Sequence, residues 1–147
     1  PALEASRGRL GIVGSVAGHV SVPGVSAYSS SKFAVRAIAA SLRAELAADG
    51  VSVTHIAPGY VASEIRHKDN DERFDPSSPD TAAAWLVVPA DAAARAIARG
   101  LRRRRAEVVV SAHGRAAVCL ARWSPGLVRL LLRWTYAGGR PVSAGRR

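Results

Sequence analysis

The period of the apolar positions changes from one stretch of the chain to the next, and each change marks an element. Residues 8–15 read Gly-Arg-Leu-Gly-Ile-Val-Gly-Ser, a short apolar run that predicts a buried strand with Ser15 at its carboxyl end. Gly18 and the Pro23-Gly24 pair punctuate the loop that follows, and Ser26 is placed to cap the next element. Over 27–48, Phe33, Val35, Ile38, Ala39, Leu42 and Leu46 recur at helical spacing. Arg36, Arg43 and Glu45 lie off that stripe, and Asp49-Gly50 supplies the stop, with Gly50 suited to a left-handed cap. Residues 51–57, Val-Ser-Val-Thr-His-Ile-Ala, form a second β-branched run ended by Pro58-Gly59. Strand, helix and strand with short connections predict a βαβ unit, hence a parallel sheet with a right-handed crossover.

Beyond Gly59 the pattern is weaker. Residues 60–79 are polar and read equally well as a lid over the strand ends or as a solvated loop. A short helix over 81–88 follows. Pro89-Ala90-Asp91 then opens a helix running to Arg99-Gly100, and 107–110 reads as a third strand. Residues 116–120 and 127–134 predict two helical pieces split by Pro125-Gly126. The fold class is α/β. Ligands of open parallel sheets sit beyond the carboxyl ends of the strands, where Ser15 and Pro58-Gly59 both fall.

Composition narrows the picture. At 147 residues and 48% hydrophobic, the chain suits one globular domain rather than a disordered segment. Its single cysteine, Cys119, excludes an intrachain disulfide, fits a reducing compartment, and reads as a packed thiol in an apolar helix. The chain starts at Pro1, holds no Met and shows no basic flank ahead of an apolar run. Its first residues are therefore not expected to be a signal peptide, and its true start is expected to lie elsewhere. No uncharged apolar run approaches the ~18 residues of a membrane span, so a cytoplasmic protein is expected.

Charge is uneven. The net is +10, yet the first 98 residues carry nine basic and ten acidic side chains, while the stretch from Arg99 onward carries twelve arginines and one acid, Glu107. This basic tail reads as a solvated face, as an interfacial amphipathic helix with Trp123, Trp134 and Leu130 to Leu132 among the arginines, or as a nucleic-acid binder. No nucleic-acid recognition motif accompanies it, and nucleic acid is not an expected partner.

The candidate chemistry lies in residues 15–32. Tyr28 and Lys32 are four apart, which on a helix puts both on one face. Free tyrosine titrates near ~10, and an adjacent ammonium favours the phenolate, so the pair is a usable acid/base. Ser15, arriving on a strand, could hold a substrate oxygen against that phenol. His19, His55, His67 and His113 have no metal-like spacing and read as surface or strand residues, so no metal is expected.

Three motifs at fixed separations carry a family resemblance. Ser15-Val16-Ala17-Gly18 begins thirteen residues before Tyr28; Tyr28-Ser29-Ser30-Ser31-Lys32 is a Tyr-x-x-x-Lys signature; Ala57-Pro58-Gly59-Tyr60-Val61-Ala62-Ser63 places Pro58 thirty residues after Tyr28. Over residues 1–111 the sequence resembles the C-terminal catalytic half of the short-chain dehydrogenase/reductase family, with 112–147 a basic, partly amphipathic helical tail. The resemblance implies a Rossmann-type parallel sheet with flanking helices, lacking the family's N-terminal strands and glycine-rich cofactor turn. Gly8, Gly11 and Gly14 lead into a strand, the wrong context for that turn, and the family's catalytic asparagine would fall ahead of Pro1. One side of the Ser15 strand is then expected to be an open edge.

The resemblance further implies an NAD- or NADP-dependent oxidoreductase interconverting a carbonyl and an alcohol. Tyr28 would be acid in reduction and base in oxidation. Lys32 would lower the Tyr28 pKa and bind the nicotinamide ribose, and Ser15 would hold the substrate oxygen. Pro58, Gly59 and Val61 would pack on the nicotinamide, and Ser63 stands where the family usually has threonine. The residues that choose NAD over NADP belong to the absent half. Implied partners are a small carbonyl or alcohol substrate, plausibly hydrophobic given the apolar tail, and further copies of the intact enzyme. The alternative is a non-catalytic remnant acting by protein association or on an anionic membrane surface through the tail.

Overall fold

A computed structural model describes residues 1–63 and 83–137. Three strands, β1 (Arg9–Val13), β2 (Ser52–Ala57) and β3 (Glu107–Val109), form one parallel sheet in that order. Arg9 stands opposite Ser52 and Val13 opposite Ile56, while His55 stands opposite Glu107 and Ala57 opposite Val109. Every residue of β2 is buried. A central parallel strand is covered on both faces, which is why its sequence reads as a continuous β-branched run rather than an alternation. Thr54, a polar residue in that core, donates its hydroxyl to the Arg105 carbonyl at 2.7 Å. β1 is the other flank of the sheet and is open. It alternates between exposed and half-buried positions, and Val13 is 61% exposed.

α1 (Ala2–Ala5) is a single turn, and α2 (Ser26–Glu45) crosses from β1 to β2. The latter starts one residue earlier than the pattern predicts and ends three residues sooner. Ser26 is its first helical residue and not its cap; Val25 holds the cap position, without a side-chain hydrogen bond. Gly50 has the left-handed backbone its position predicts, at φ 72°. The apolar stripe divides. Ala39 is buried against the sheet, whereas Phe33 and Ile38 face outward. Arg43, off the stripe in sequence, is drawn inward and donates to the carbonyls of Val53 at 2.6 Å and Arg104 at 3.1 Å.

The second half departs more from its pattern. Of the helix expected over 81–88, the described residues form only a short 3-10 turn at Ala84–Leu86, after which Val87 is extended and Val88 bridges to Val61. Two β-branched residues before Pro89 favour the extended conformation. Of the expected 60–79 excursion, all but 60–63 lies outside the described residues. α3 (Ala90–Arg102) packs across all three strands. α4 (Ala112–Trp123) begins four residues earlier than predicted because Ser111 caps it, accepting from Gly114 N at 3.1 Å. α5 (Pro125–Ala137) opens on Pro125, the position where proline costs no hydrogen bond. Cys119, expected to be packed, is exposed: α4 turns Gly114 and Val118 inward and Cys119 away.

Gly100 marks the tightest seam. It is buried on α3, and a methyl there would overlap the Val108 side chain on β3. Alanine gains about 1 kcal/mol of helix propensity over glycine, whereas overpacking a core costs about 1–3 kcal/mol. Gly100→Ala should therefore destabilise the fold by about 1–2 kcal/mol, read as a lower midpoint in urea unfolding; an unchanged or higher midpoint would contradict this packing.

Candidate active site

A crossover helix between parallel strands runs back against them, so its first turn overhangs their carboxyl ends. Tyr28 and Lys32 lie on that first stretch of α2. Their spacing continues the inward stripe of Val35, Ala39, Leu42 and Leu46, displaced past the sheet edge. Tyr28 is consequently half exposed, and Lys32 Nζ lies 5.4 Å from its ring centroid, within cation–π range.

The Ser15 segment is pressed against this turn. Residues Val16–Gly18 form a 3-10 turn, and Ser15 caps it by accepting from Ala17 N at 3.1 Å. A Cβ on Gly18 would lie 2.6 Å from the Lys32 carbonyl oxygen, so only glycine permits this approach. From the other side, Val16 N donates to the Pro58 carbonyl at 2.9 Å and Gly14 N to Ile56 O at 2.8 Å. Among the described residues no hydrogen bond joins Ser15, Tyr28 and Lys32 directly; backbone packing brings them to one edge.

Gly59 abuts Ser111 and His113, where a Cβ would stand 2.9 Å from Ser111 Oγ and 3.2 Å from His113 Nε2. The chain then runs beside the segment before α3, with Ala62 N donating to Val88 O and Val88 N to Tyr60 O, both at 2.9 Å. Val61 is half-buried in this bridge, and Ser63 is exposed. The Ser15 turn, the Tyr28–Lys32 turn and the Pro58-Gly59 segment thus share the carboxyl edge of the sheet.

Sequence spacing missed a second cluster beneath that edge. Glu107 Oε1 lies 2.8 Å from His55 Nδ1 and 2.9 Å from His19 Nε2. Strand register supplies the first contact, since His55 and Glu107 are opposite on β2 and β3. His19 arrives from the loop after the 3-10 turn. Both imidazoles are buried and the carboxyl is about one-third exposed. His55 also sits under Gly14, where a methyl would overlap its Nε2. Only the register foretells the cluster, because positions 19, 55 and 107 share no local period.

All three donors lie within 4.8 Å of one another. Two ligands on a zinc ion, each at ~2.1 Å, stand about 3.4 Å apart. The observed 2.8 and 2.9 Å are direct contacts of imidazole on carboxylate. Arg36 and Arg122 line the adjoining cavity of about 100 Å³ and add positive charge. Contact with His19, and then with His55, holds the Glu107 carboxyl well below the usual carboxylate range.

Residues 1–73 match the family model for short chain dehydrogenases. The chain is 36% identical over 125 residues to an uncharacterized oxidoreductase of Mycobacterium tuberculosis, covering 84% of this chain and 41% of that protein. It is 39% identical over 90 residues to retinol dehydrogenase 16 of Homo sapiens, covering 58% of this chain and 28% of that protein. A short chain dehydrogenase from Burkholderia cenocepacia, solved in complex with NADP, superposes with a TM-score of 0.74 at 23% identity, over 90% of this chain and 50% of that one. One from Sphingobium yanoikuyae, in complex with NADPH, gives a TM-score of 0.61 at 24% identity, over 100% of this chain and 52% of that one. The chain belongs to the short-chain dehydrogenase/reductase family, the family match covering its first 73 residues. It spans less than half the length of the curated relatives it matches.

The depressed Glu107 carboxyl links the cluster to acid stability. A carboxyl whose folded value lies below its ordinary 4.5 contributes fully above that pH and loses its contribution as the pH falls further. Glu107→Gln should lower the unfolding midpoint at pH 7, and the gap from the parent chain should close as the pH drops from about 5 toward 2. A gap that stays constant over that window would show that the carboxylate is not the stabilising species.

Proposed function

We propose that the chain is the catalytic, C-terminal part of an NAD- or NADP-dependent oxidoreductase that interconverts a carbonyl and an alcohol by hydride transfer. The observation that supports this best is the seating of the Ser15 turn on α2 at Lys32, through Gly18, with the Pro58 carbonyl holding the same turn from behind. In this reading residues 1–111 belong to a Rossmann-type domain and 112–147 form its tail. The intact enzyme works on a small-molecule substrate in the cytoplasm. It assembles as a homo-oligomer, for which the outward Phe33 and Ile38 of α2 offer an apolar contact.

The roles follow from the chemistry. The dinucleotide supplies the hydride when bound. A carbonyl that receives a hydride becomes an alkoxide, which needs a proton and a hydrogen-bond donor already in place. Tyr28, exposed at the edge, gives that proton in reduction and takes it back in oxidation. Lys32, whose ammonium lies 5.4 Å from the Tyr28 ring centroid, places a positive charge beside the phenol and would donate to the ribose. Ser15, whose oxygen already accepts from Ala17 N, keeps its own proton to donate to the substrate oxygen. Pro58, Gly59 and Val61 would offer backbone to the nicotinamide, and the exposed Ser63 hydroxyl would be a further group to hold it.

In this reading the chain's residues would serve the nicotinamide end of such a cofactor and not its pyrophosphate end. Gly8 precedes β1, Gly11 lies within it, and Gly14 leads only into the short 3-10 turn at Val16–Gly18, so none opens an α-helix N-terminus onto a phosphate. The 147 residues by themselves should therefore bind NADH or NADPH only weakly, in the millimolar range or above (about −4 kcal/mol or less of binding free energy). Fluorescence titration showing sub-millimolar affinity would contradict this. In the intact parent enzyme, Tyr28→Phe should cut turnover by roughly 10²-fold or more while leaving dinucleotide affinity largely in place. Retained turnover would remove Tyr28 from the proton-transfer role.

A second reading, association through segment 112–147 in place of catalysis, is favoured by one observation. Trp123, Leu127, Leu130, Leu131 and Trp134 are all exposed there.

A further inference from the structure

α5 is apolar over a wide arc and, among the described residues, packs only one side of it. Val128 and Leu132 turn toward the loop carrying His19, Val20 and Ser21 and are half-buried. Leu127, Leu130, Leu131 and Trp134 stand beside that contact at positions i, i+3, i+4 and i+7, an arc of about 100° on a helix. The three leucines are 46–51% exposed and Trp134 is 75% exposed. Arg129 and Arg133 border this arc along one side. At the junction with α4, Trp123 is 77% exposed beside Arg122.

We infer that this face is a docking surface for an anionic lipid bilayer, with α5 lying flat at the headgroup boundary. The inference rests on the second reading above and names its partner. Three features select lipid. The face is a convex ridge of leucine with indoles near both ends, and indole combines an apolar body with a hydrogen-bonding edge, which suits the boundary between headgroup and acyl chain. Its flanking cations are arginines, whose planar forks match phosphate. From Arg99 onward the chain carries twelve arginines and one acid, so a second copy of the same face would meet like charge. The helix is also too short to cross a bilayer: thirteen residues rise about 20 Å, and no described helix is long and apolar enough to span.

The test is flotation of the 147-residue chain with phosphatidylcholine vesicles, with and without about 30% phosphatidylglycerol, at low and high salt, with tryptophan emission recorded. Binding to the anionic vesicles is expected, with a blue-shifted emission and release at about 1 M salt. Leu130→Ser with Trp134→Ser should weaken that binding by roughly tenfold or more. Arg129→Gln with Arg133→Gln should weaken it on anionic vesicles alone. Far-UV circular dichroism establishes that each variant remains folded. Equal flotation of the Leu130/Trp134 variant, or no flotation of the parent chain, overturns the inference. If the parent chain does not float but sediments as an oligomer that the Leu130/Trp134 variant dissolves, the lipid assignment is wrong while association through the tail stands. A chain that is monomeric and stays with buffer refutes both.

Discussion

Two parallel strands cannot be joined by a hairpin, and most of this structure follows from that restriction. β1 and β2 pair in parallel, so the chain leaving Val13 must travel back along the whole sheet before it can start Ser52. α2 makes the return. Its direction places the first turn over the carboxyl ends of the strands, together with whatever follows β1 and β2. A serine turn, a Tyr-x-x-x-Lys turn and a Pro-Gly segment that are distant in sequence are thereby delivered to one edge. The chemistry proposed for them needs such convergence, because a nascent alkoxide must find its donors already arranged.

That edge is held by backbone more than by side chains. Gly18 allows the Ser15 turn to lie directly on the Lys32 carbonyl, and Val16 N is bound to Pro58 O. Beneath it, Glu107 gathers His55 from the neighbouring strand and His19 from the loop beyond the serine turn. One carboxylate thus ties β3, β2 and the serine loop together. Tyr28 is exposed at this edge and Ser15 and Lys32 are half-buried, while Gly18 and the two imidazoles beneath are buried.

The molecule also separates its two kinds of surface along the sequence. The nearly neutral first 98 residues supply the sheet edge with Ser15, Tyr28 and Lys32, the groups proposed to react there. The strongly basic remainder supplies α4 and α5, which bury only part of their apolar surface. β1, at the opposite flank of the sheet, is an unpaired edge with Val13 exposed. A parallel edge of this kind is a site for a further strand. The short-chain dehydrogenases solved with NADP and NADPH, of which this chain overlays about half, have the length to provide one.

Much of this was legible in the residues. Periodicity located α2, β2 and α3 within a few residues, because long amphipathic or β-branched runs leave little choice. The spacing of Ser15, Tyr28, Lys32 and Pro58 identified the edge at which they meet. Where local signals competed, the outcome was decided elsewhere. Ser26 was displaced from capping, Cys119 was turned outward by the packing of Gly114 and Val118, and residues 84–88 became a 3-10 turn followed by a single bridge of Val88 to Val61. The His19–His55–Glu107 cluster had no local signature at all, since it depends on strand register and on a loop folding under the sheet edge. Sequence by itself determined which segments could be helix or strand and which residues could do proton chemistry, because those properties belong to single residues and their near neighbours. Only the tertiary structure decided which of them touch, because contact between distant residues is set by strand pairing and by the small clearances that Gly18, Gly59 and Gly100 leave open.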